Sequence, residues 1–442
     1  MSFENPFLQK LSSFKQDLNA LIYDDKVYTY ENLLKSVKAK MSLIENLDKN
    51  LVLGLVGDFD IDSLGFLFAC LEIQRVIALF SDKVELEAKA KEANVYAIFE
   101  NNKLNLYQNR GENHNFIAKL NAQKQAGLIL FSSGSTGKPK AIVHNFNTLC
   151  EIYLDKKAKN INILLFLMFD HIGGLNTLLN CLAMGACGVA IKDRKNLQSI
   201  GKAIEKYQIS LLPTSPSFLN LILLSKLHLE YDLSSLRLIT YGTEAMSDVL
   251  LQRLKDTFKK VRFHQTFGTS EVGISQTKSY ENYIKLENLE YKIINNELFL
   301  KSKTQSLGYL NADNSAFKED GFFATGDLVE LININGEEYL KIIGRNKELI
   351  NVGGEKVLPS EVEGVILQMS DVLDCLVYGE KNAITGQSVC VKLVLKDESD
   401  KLEFKKKLRA FCKDKLANFK IPSKLEIVKN LELNSRFKRL RK

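Results

Sequence analysis

The chain has no Cys-x-x-Cys pair, no apolar run of membrane-spanning length and no extended basic stripe, and each gap removes a class of function. Its seven cysteines, at 70, 150, 181, 187, 375, 390 and 412, are scattered and odd in number. This argues against a zinc site and a disulfide framework and predicts buried, reduced thiols. The opening residues MSFENPFLQKLSSFKQ are charged and polar where a secretory leader needs an unbroken apolar core. With no run long enough to cross a bilayer, a cytoplasmic protein is expected. The formal charge of +7 is local, since residues 401–442 carry fifteen Lys or Arg against four Asp or Glu, which leaves the first 400 residues at −4. A basic end on an acidic body suits a small polyanion or an acidic protein partner and speaks against nucleic acid.

What is present describes a globular protein of more than one domain. The chain has 442 residues, 45% hydrophobic and 26% charged, more than one core normally organises. Short apolar strands alternate with amphipathic helices: NLVLGLVGDFDIDSLGFLFAC reads as a strand near 51–56, a polar turn and a capped helix, and VIALF follows as the next strand. The alternation recurs over 161–212. This βαβ rhythm predicts an α/β fold with parallel-sheet layers covered by helices. Asp58, Asp60 and Asp62 have calcium-loop spacing, but Ser63 and Ala69 stand where glycine and glutamate are needed, so that reading is set aside. From about 286 to 344 the texture turns to strands with NN, NADN, EDG and NING turns, predicting a small β-rich subdomain. An N-terminal domain over 1–344 and a small, mobile α+β domain over 345–442 are expected.

One stretch, LILFSSGSTGKPKAIVHNF at 128–146, combines hydroxyls, glycines and two lysines between apolar runs. A nucleoside-triphosphatase phosphate loop needs glycine where Ser132 stands, and Ser or Thr where Pro139 follows Lys138. The stretch therefore reads as a phosphate loop of another kind, in which glycine-permitted turns present backbone N–H groups and hydroxyls to anionic oxygens.

Seven further segments occur in a fixed order with it: IYDDKVYTYENLL, FDHIGGLNT at 169–177, TSPSFLNLIL at 214–223, LSSLRLITYGTEAMS at 233–247, QTFGTSE at 265–271, FFATGDL at 322–328 and IIGRNKELINVGGEKVLPSEVE at 342–363. Together with SSGSTGKPK, the series resembles the adenylate-forming superfamily of acyl- and aryl-CoA synthetases, nonribosomal-peptide adenylation domains and luciferases. The resemblance implies ATP-dependent activation of a small carboxylic acid through an AMP intermediate, with Mg2+. Joining two anions in this way requires positive charge and N–H donors at the phosphates and a rigid grip on the nucleoside. By resemblance, the loop of Ser132, Ser133, Gly134, Ser135, Thr136, Gly137 and Lys138 holds phosphates, and Glu271 is the metal ligand. Gly242, Thr243 and Glu244 pass along the adenine, Phe267 stacks on it, Gly268 and Ser270 share its motif, and Asp327 and Arg345 reach the ribose. Lys438 is the catalytic lysine in the pattern set by Asn434 and Arg441, although Phe437 occupies the usual glycine position.

The resemblance also implies a second step, in which the small domain turns about Lys347 and a thiol enters beside Gly353 and Gly354. The acceptor is coenzyme A or the phosphopantetheine of an acidic acyl carrier protein. His171 is expected beside the acyl pocket and is grouped with Lys438 as catalytic. Asp170, Ile172, Gly173, Leu175, Ser215, Phe218 and Tyr241 are candidates for the pocket itself. These walls offer no evident pair for a second charge, so an uncharged acyl or aryl acid is expected. Activation of an amino acid, with Asp170 turned inward to its ammonium, and a non-catalytic binding protein are the alternatives.

Overall fold

A computed structural model describes residues 2–107, 114–133, 138–434 and 439, with the backbone alone at Ser133. Among these, the architecture is α/β, built from three seven-stranded sheets and one five-stranded sheet. In the first sheet Arg262–Gln265, Leu238–Tyr241, Leu211–Thr214, Asn162–Leu164, Cys187–Ala190 and Asn19–Tyr23 run parallel, and Lys26–Thr29 closes one edge antiparallel. The second has a parallel centre of Gly127–Ser133, Val76–Phe80, Val52–Val56 and Val95–Glu100 with antiparallel strands outside it.

The local reasons are those of buried parallel sheet. VIALF is buried at all five positions, as a strand covered on both faces must be. The helix Ile61–Glu72 is opened by Asp60, whose carboxylate accepts from the N–H groups of Asp62 and Ser63. Its neighbours are also structural, since Asp62 pairs with Lys40 at 2.7 Å and Asp58 pairs with Arg194. The three aspartates thus have three separate partners. Helices Tyr30–Ile44, Ile61–Glu72 and Ile172–Ala183 contribute to one large apolar cluster with strands of both sheets.

The third sheet is antiparallel and begins earlier than expected, at Phe267–Thr269 and Gly273–Tyr280 rather than near 286. Its opening strands carry polar residues on one face, as in Gln276, Lys278 and Tyr280, so they lack an apolar-run signal. The later turns follow their residues: Asn295 and Asn296 take φ of 51° and 63°, and Asn335 and Gly336 take 53° and 83°, the left-handed pairs that tight hairpins require. After Arg345 a short 3-10 turn, Asn346–Glu348, leads into a fourth sheet containing Val372–Asn382 and Gly386–Leu395. Its core joins Ile350, Val362, Val377, Val391 and Phe404 in a cluster of its own. All seven cysteines are free and buried. Among the described residues no helix is long and apolar enough to cross a membrane.

Candidate active site

The carboxyl ends of the first sheet, the hairpin bearing the hydroxyl-rich loop and the start of the antiparallel sheet converge on a cavity of about 510 Å³. Thr214, Thr240 and Thr266 sit at or just beyond the ends of three neighbouring parallel strands and line it. Crevices at strand carboxyl ends are where open α/β sheets receive ligands. Gly242 continues one of these strands, and a Cβ there would stand 2.8 Å from both the Thr266 carbonyl oxygen and its hydroxyl. Thr243, also in the lining, has φ of 71°, a left-handed conformation that a β-branched residue adopts under strain.

A second wall is the beginning of helix Ile172–Ala183. His171 caps it, its Nδ1 accepting the Gly173 N–H at 3.1 Å. A neutral ring bonded this way carries its proton on Nε2. A Cβ at Gly174 would lie 2.0 Å from the Met168 carbonyl oxygen, so glycine is needed for the chain to turn this tightly. Asn176 faces the cavity with its amide oxygen accepting from Tyr153 at 2.6 Å.

The third wall carries the acid. Glu271 Oε1 accepts from the Tyr309 hydroxyl at 2.9 Å, and the Glu271 carbonyl oxygen accepts the Ser306 N–H at 2.6 Å. Burial, with the Glu271 charge and hydrogen bond behind it, pushes the Tyr309 hydroxyl up, so it stays a donor. Lys140 Nζ lies 4.7 Å from the Tyr309 ring centre. Behind Ser270, buried His144 places Nε2 2.7 Å from the Ser270 carbonyl oxygen. Burial lowers His144 to about 4, so the ring is neutral and Nε2 is the donor.

At the far end Asp327 and Arg345 are register partners on adjacent antiparallel strands and pair at 2.7 Å between Oδ1 and Nε. Glu297 ties the same region together, accepting from Gly326 N–H at 3.1 Å and Asn346 Nδ2 at 2.7 Å.

Of the residues singled out in the sequence, Ser132, His171, Ile172, Gly173, Gly242, Thr243, Gly268, Ser270, Glu271, Arg345 and Lys347 line the cavity. Asp327 reaches its edge through Arg345 and Gly326. Lys138 is exposed and outside the lining. Gly134, Ser135, Thr136, Gly137, Phe437, Lys438 and Arg441 lie outside the described residues, as does the Ser133 side chain. Gly353 and Gly354 form the exposed turn between Ile350–Val352 and Glu355–Val357, with φ of 63° and 94°.

Several of the candidate residues lie away from the cavity lining. Phe267, expected over the adenine, belongs to the apolar cluster of the antiparallel sheet with Ile284 and Leu298. Glu244 turns away from the cavity and accepts from Ser217 and from the main chain of Arg439. Ser215 is occupied as a helix cap, accepting from the Phe218 N–H at 3.2 Å, and Leu175 and Phe218 are core residues. Tyr241 is buried with its hydroxyl against Asn282 Oδ1 at 3.3 Å. Asp170 is buried outside the lining and accepts from the Ser81 N–H at 3.3 Å. Successive side chains alternate faces along a strand and swing round the axis of a helix, so a motif carries cavity and core residues side by side.

Lys140, Asn176, Glu297 and Tyr309 were not anticipated. Lys140 lay within the quoted loop and was discoverable there. Tyr309 had no local signal, because its partner Glu271 is 38 positions away.

A sequence profile of AMP-binding enzymes matches residues 63–298, and a profile of the AMP-binding enzyme C-terminal domain matches 361–438. The chain belongs to the AMP-binding enzyme family. It is 29% identical over 347 residues to acyl-CoA synthetase 7 of Caenorhabditis elegans, covering 71% of this chain and 63% of that protein. It is 30% identical over 325 residues to the 2-succinylbenzoate–CoA ligase of Staphylococcus aureus MRSA252, covering 70% and 64%. The matched region thus spans under two thirds of either relative. Among solved members of this fold, the anthranilate CoA ligase AuaEII with anthranoyl-AMP superposes with a TM-score of 0.82 at 17% identity, covering 99% of this chain and 96% of that one. The o-succinylbenzoate CoA synthetase of Bacillus subtilis with its acyl-adenylate gives 0.77 at 22%, covering 100% and 98%.

Proposed function

We propose that this chain is an ATP- and Mg2+-dependent ligase that adenylates an uncharged acyl or aryl acid, releases pyrophosphate, and passes the acyl group to the thiol of coenzyme A or of a carrier-protein phosphopantetheine. The observation that carries the reading is the gathering of Ser132, His171, Gly242, Glu271 and Arg345, from five separated motifs, around one cavity.

The residues fit the groups the family uses. Among the described residues no set of three carboxylate, His or Cys side chains could hold a metal alone. A single carboxylate is nonetheless what Mg2+ needs when phosphate oxygens and water complete its octahedron. Glu271, held by Tyr309, is that carboxylate, and the ion offsets negative charge on the phosphates. Lys140 and its register partner Ser132 add positive charge and a hydroxyl at the same end, while Asp327, held by Arg345, accepts from the ribose hydroxyls. His171 lines the cavity with Ile172 and Gly173, where the substrate acid would lie. The lysines and arginine that line the cavity stand at its phosphate and hinge ends, and the described residues beside His171 and Ile172 include none to pair a second carboxylate. Burial of Asp170 outside the lining weighs against an α-amino acid. Lys347 serves as the hinge, and Gly353 and Gly354 flank the thiol's path. The expected compartment is the cytoplasm.

The test is exchange of labelled pyrophosphate into ATP, with Mg2+, across octanoate, benzoate, 4-coumarate, anthranilate, alanine and phenylalanine. Exchange confined to the acyl and aryl acids supports the reading. Exchange with the amino acids alone overturns the substrate class, and silence with all six, despite nucleotide binding, overturns the activity.

A further inference from the structure

Arg439 fastens the end of the chain to both domains at once. Its guanidinium pairs with Asp374 Oδ1 at 2.9 Å and donates to the Cys375 carbonyl oxygen at 3.0 Å, both on the small-domain strand Val372–Asn382. Its main-chain N–H donates to Glu244 Oε1 at 3.0 Å, in the large domain. Glu244 is two residues beyond Gly242 and one beyond Thr243, and its other oxygen accepts the Ser217 hydroxyl at 2.6 Å. The carboxylate therefore joins the cavity wall, the start of helix Pro216–Leu224 and Arg439.

Other contacts cross at the same place. Asn220, on that helix, lies beside Asp374 and helps hold its carboxyl down, and Arg253 donates to the Leu373 carbonyl oxygen at 3.2 Å. Leu433 forms a β-bridge with Arg439 and packs on the apolar cluster of the first sheet. The side chains of Arg439 and Asp374 are only 14% and 11% exposed. A pair so shielded is weakly screened by salt, and removing one member strands a buried charge. Burial pushes the Asp374 carboxyl up while Arg439 pulls it down, so its ionised form depends on the arginine being seated.

We propose that Arg439 is a positioning residue for acid activation. Its side chain ties the residue that follows Lys438 in the sequence to the small domain, and its N–H docks that same residue on Glu244. Rotation about Lys347 for the thiol step would carry Asp374 and Arg439 away from Asn220 and Glu244, so the latch favours one of two arrangements and supports one of two half-reactions. The inference rests on the function proposed above, and its test includes a readout that does not.

Arg439→Met and Arg439→Lys are compared with wild type in the full chain, after melting temperatures show that both fold. In the methionine variant, pyrophosphate exchange falls about thirtyfold or more in kcat with KM for ATP within about twofold, while coenzyme A thiolation of supplied acyl-adenylate of the best panel acid stays within about threefold. The lysine variant recovers part of the exchange, because it keeps the charge but not the two-pronged geometry. Tryptic cleavage after Lys347, read without nucleotide, is faster in the methionine variant, since the small domain is released. Equal loss in both half-reactions, or unchanged exchange, overturns the proposal. If wild type shows no exchange at all, the functional reading fails independently, and the cleavage rate alone decides the latch: faster cleavage supports it and equal cleavage overturns it.

Discussion

His144 should make this protein acid-labile through a single buried ring. It sits on strand Pro139–Asn145 with Nε2 donating to the Ser270 carbonyl oxygen, and burial lowers it from 6.5 to about 4. In the unfolded chain it binds a proton near the ordinary value, so between those values the unfolded state holds more protons than the folded one. Stability from this group is therefore full above 6.5 and is lost as pH falls toward 4. A shift of that size corresponds to about 3 kcal/mol in total, of which about 2 kcal/mol is gone by pH 5. The assay is urea unfolding at a series of pH values from 7.5 to 4.5 for wild type and His144→Gln. Glutamine retains an N–H donor for Ser270 but does not titrate. The variant starts less stable at neutral pH, and the difference between the two proteins narrows by about 2 kcal/mol on going to pH 5. Parallel pH profiles would refute the assignment of a neutral, buried His144.

Tyr309→Phe keeps the ring facing Lys140 but removes the hydroxyl that holds Glu271. A hydrogen bond to a charged group contributes about 1.5–3 kcal/mol, so the Mg2+ concentration giving half-maximal exchange should rise by about tenfold or more. Phe267→Leu should lower stability by about 1 kcal/mol in urea unfolding and leave KM for ATP within about twofold, because the ring is core. A large rise in KM would return it to the nucleotide. Asp327→Ala should damage both half-reactions, whereas Lys438→Ala should reduce exchange by about a hundredfold and spare thiolation of supplied acyl-adenylate; equal loss in both steps would remove the lysine's assigned role.

The parts legible in the sequence were those whose cause is local. VIALF reads as a buried strand because burial on both faces leaves no polar alternation, and the Asn-Asn and Asn-Gly turns declare their left-handed geometry. Glu271, His171 and Arg345 were found because they sit in ordered motifs. What escaped depends on partners distant in sequence. Nothing near Glu244 indicates that its carboxylate receives the N–H of Arg439, 195 positions later. Nothing near Phe267 separates a ring facing sheet from one facing ligand, since a three-residue strand alternates faces. The early start of the antiparallel sheet escaped for a related reason, its first strands being half polar.

The two-residue strand Gly308–Tyr309 joins the edge of the second sheet, pairing with Val143 and Ile142. It thereby darns the antiparallel sheet to the hairpin that bears the hydroxyl-rich loop, and the Tyr309 hydroxyl places a second stitch at Glu271. Under mechanical load the two would resist as one fabric, with shear spread across strands from both. The small domain has its own apolar cluster and a single covalent crossing at Asn346–Glu348. That domain can therefore swing as a unit while the pocket walls stay laced together.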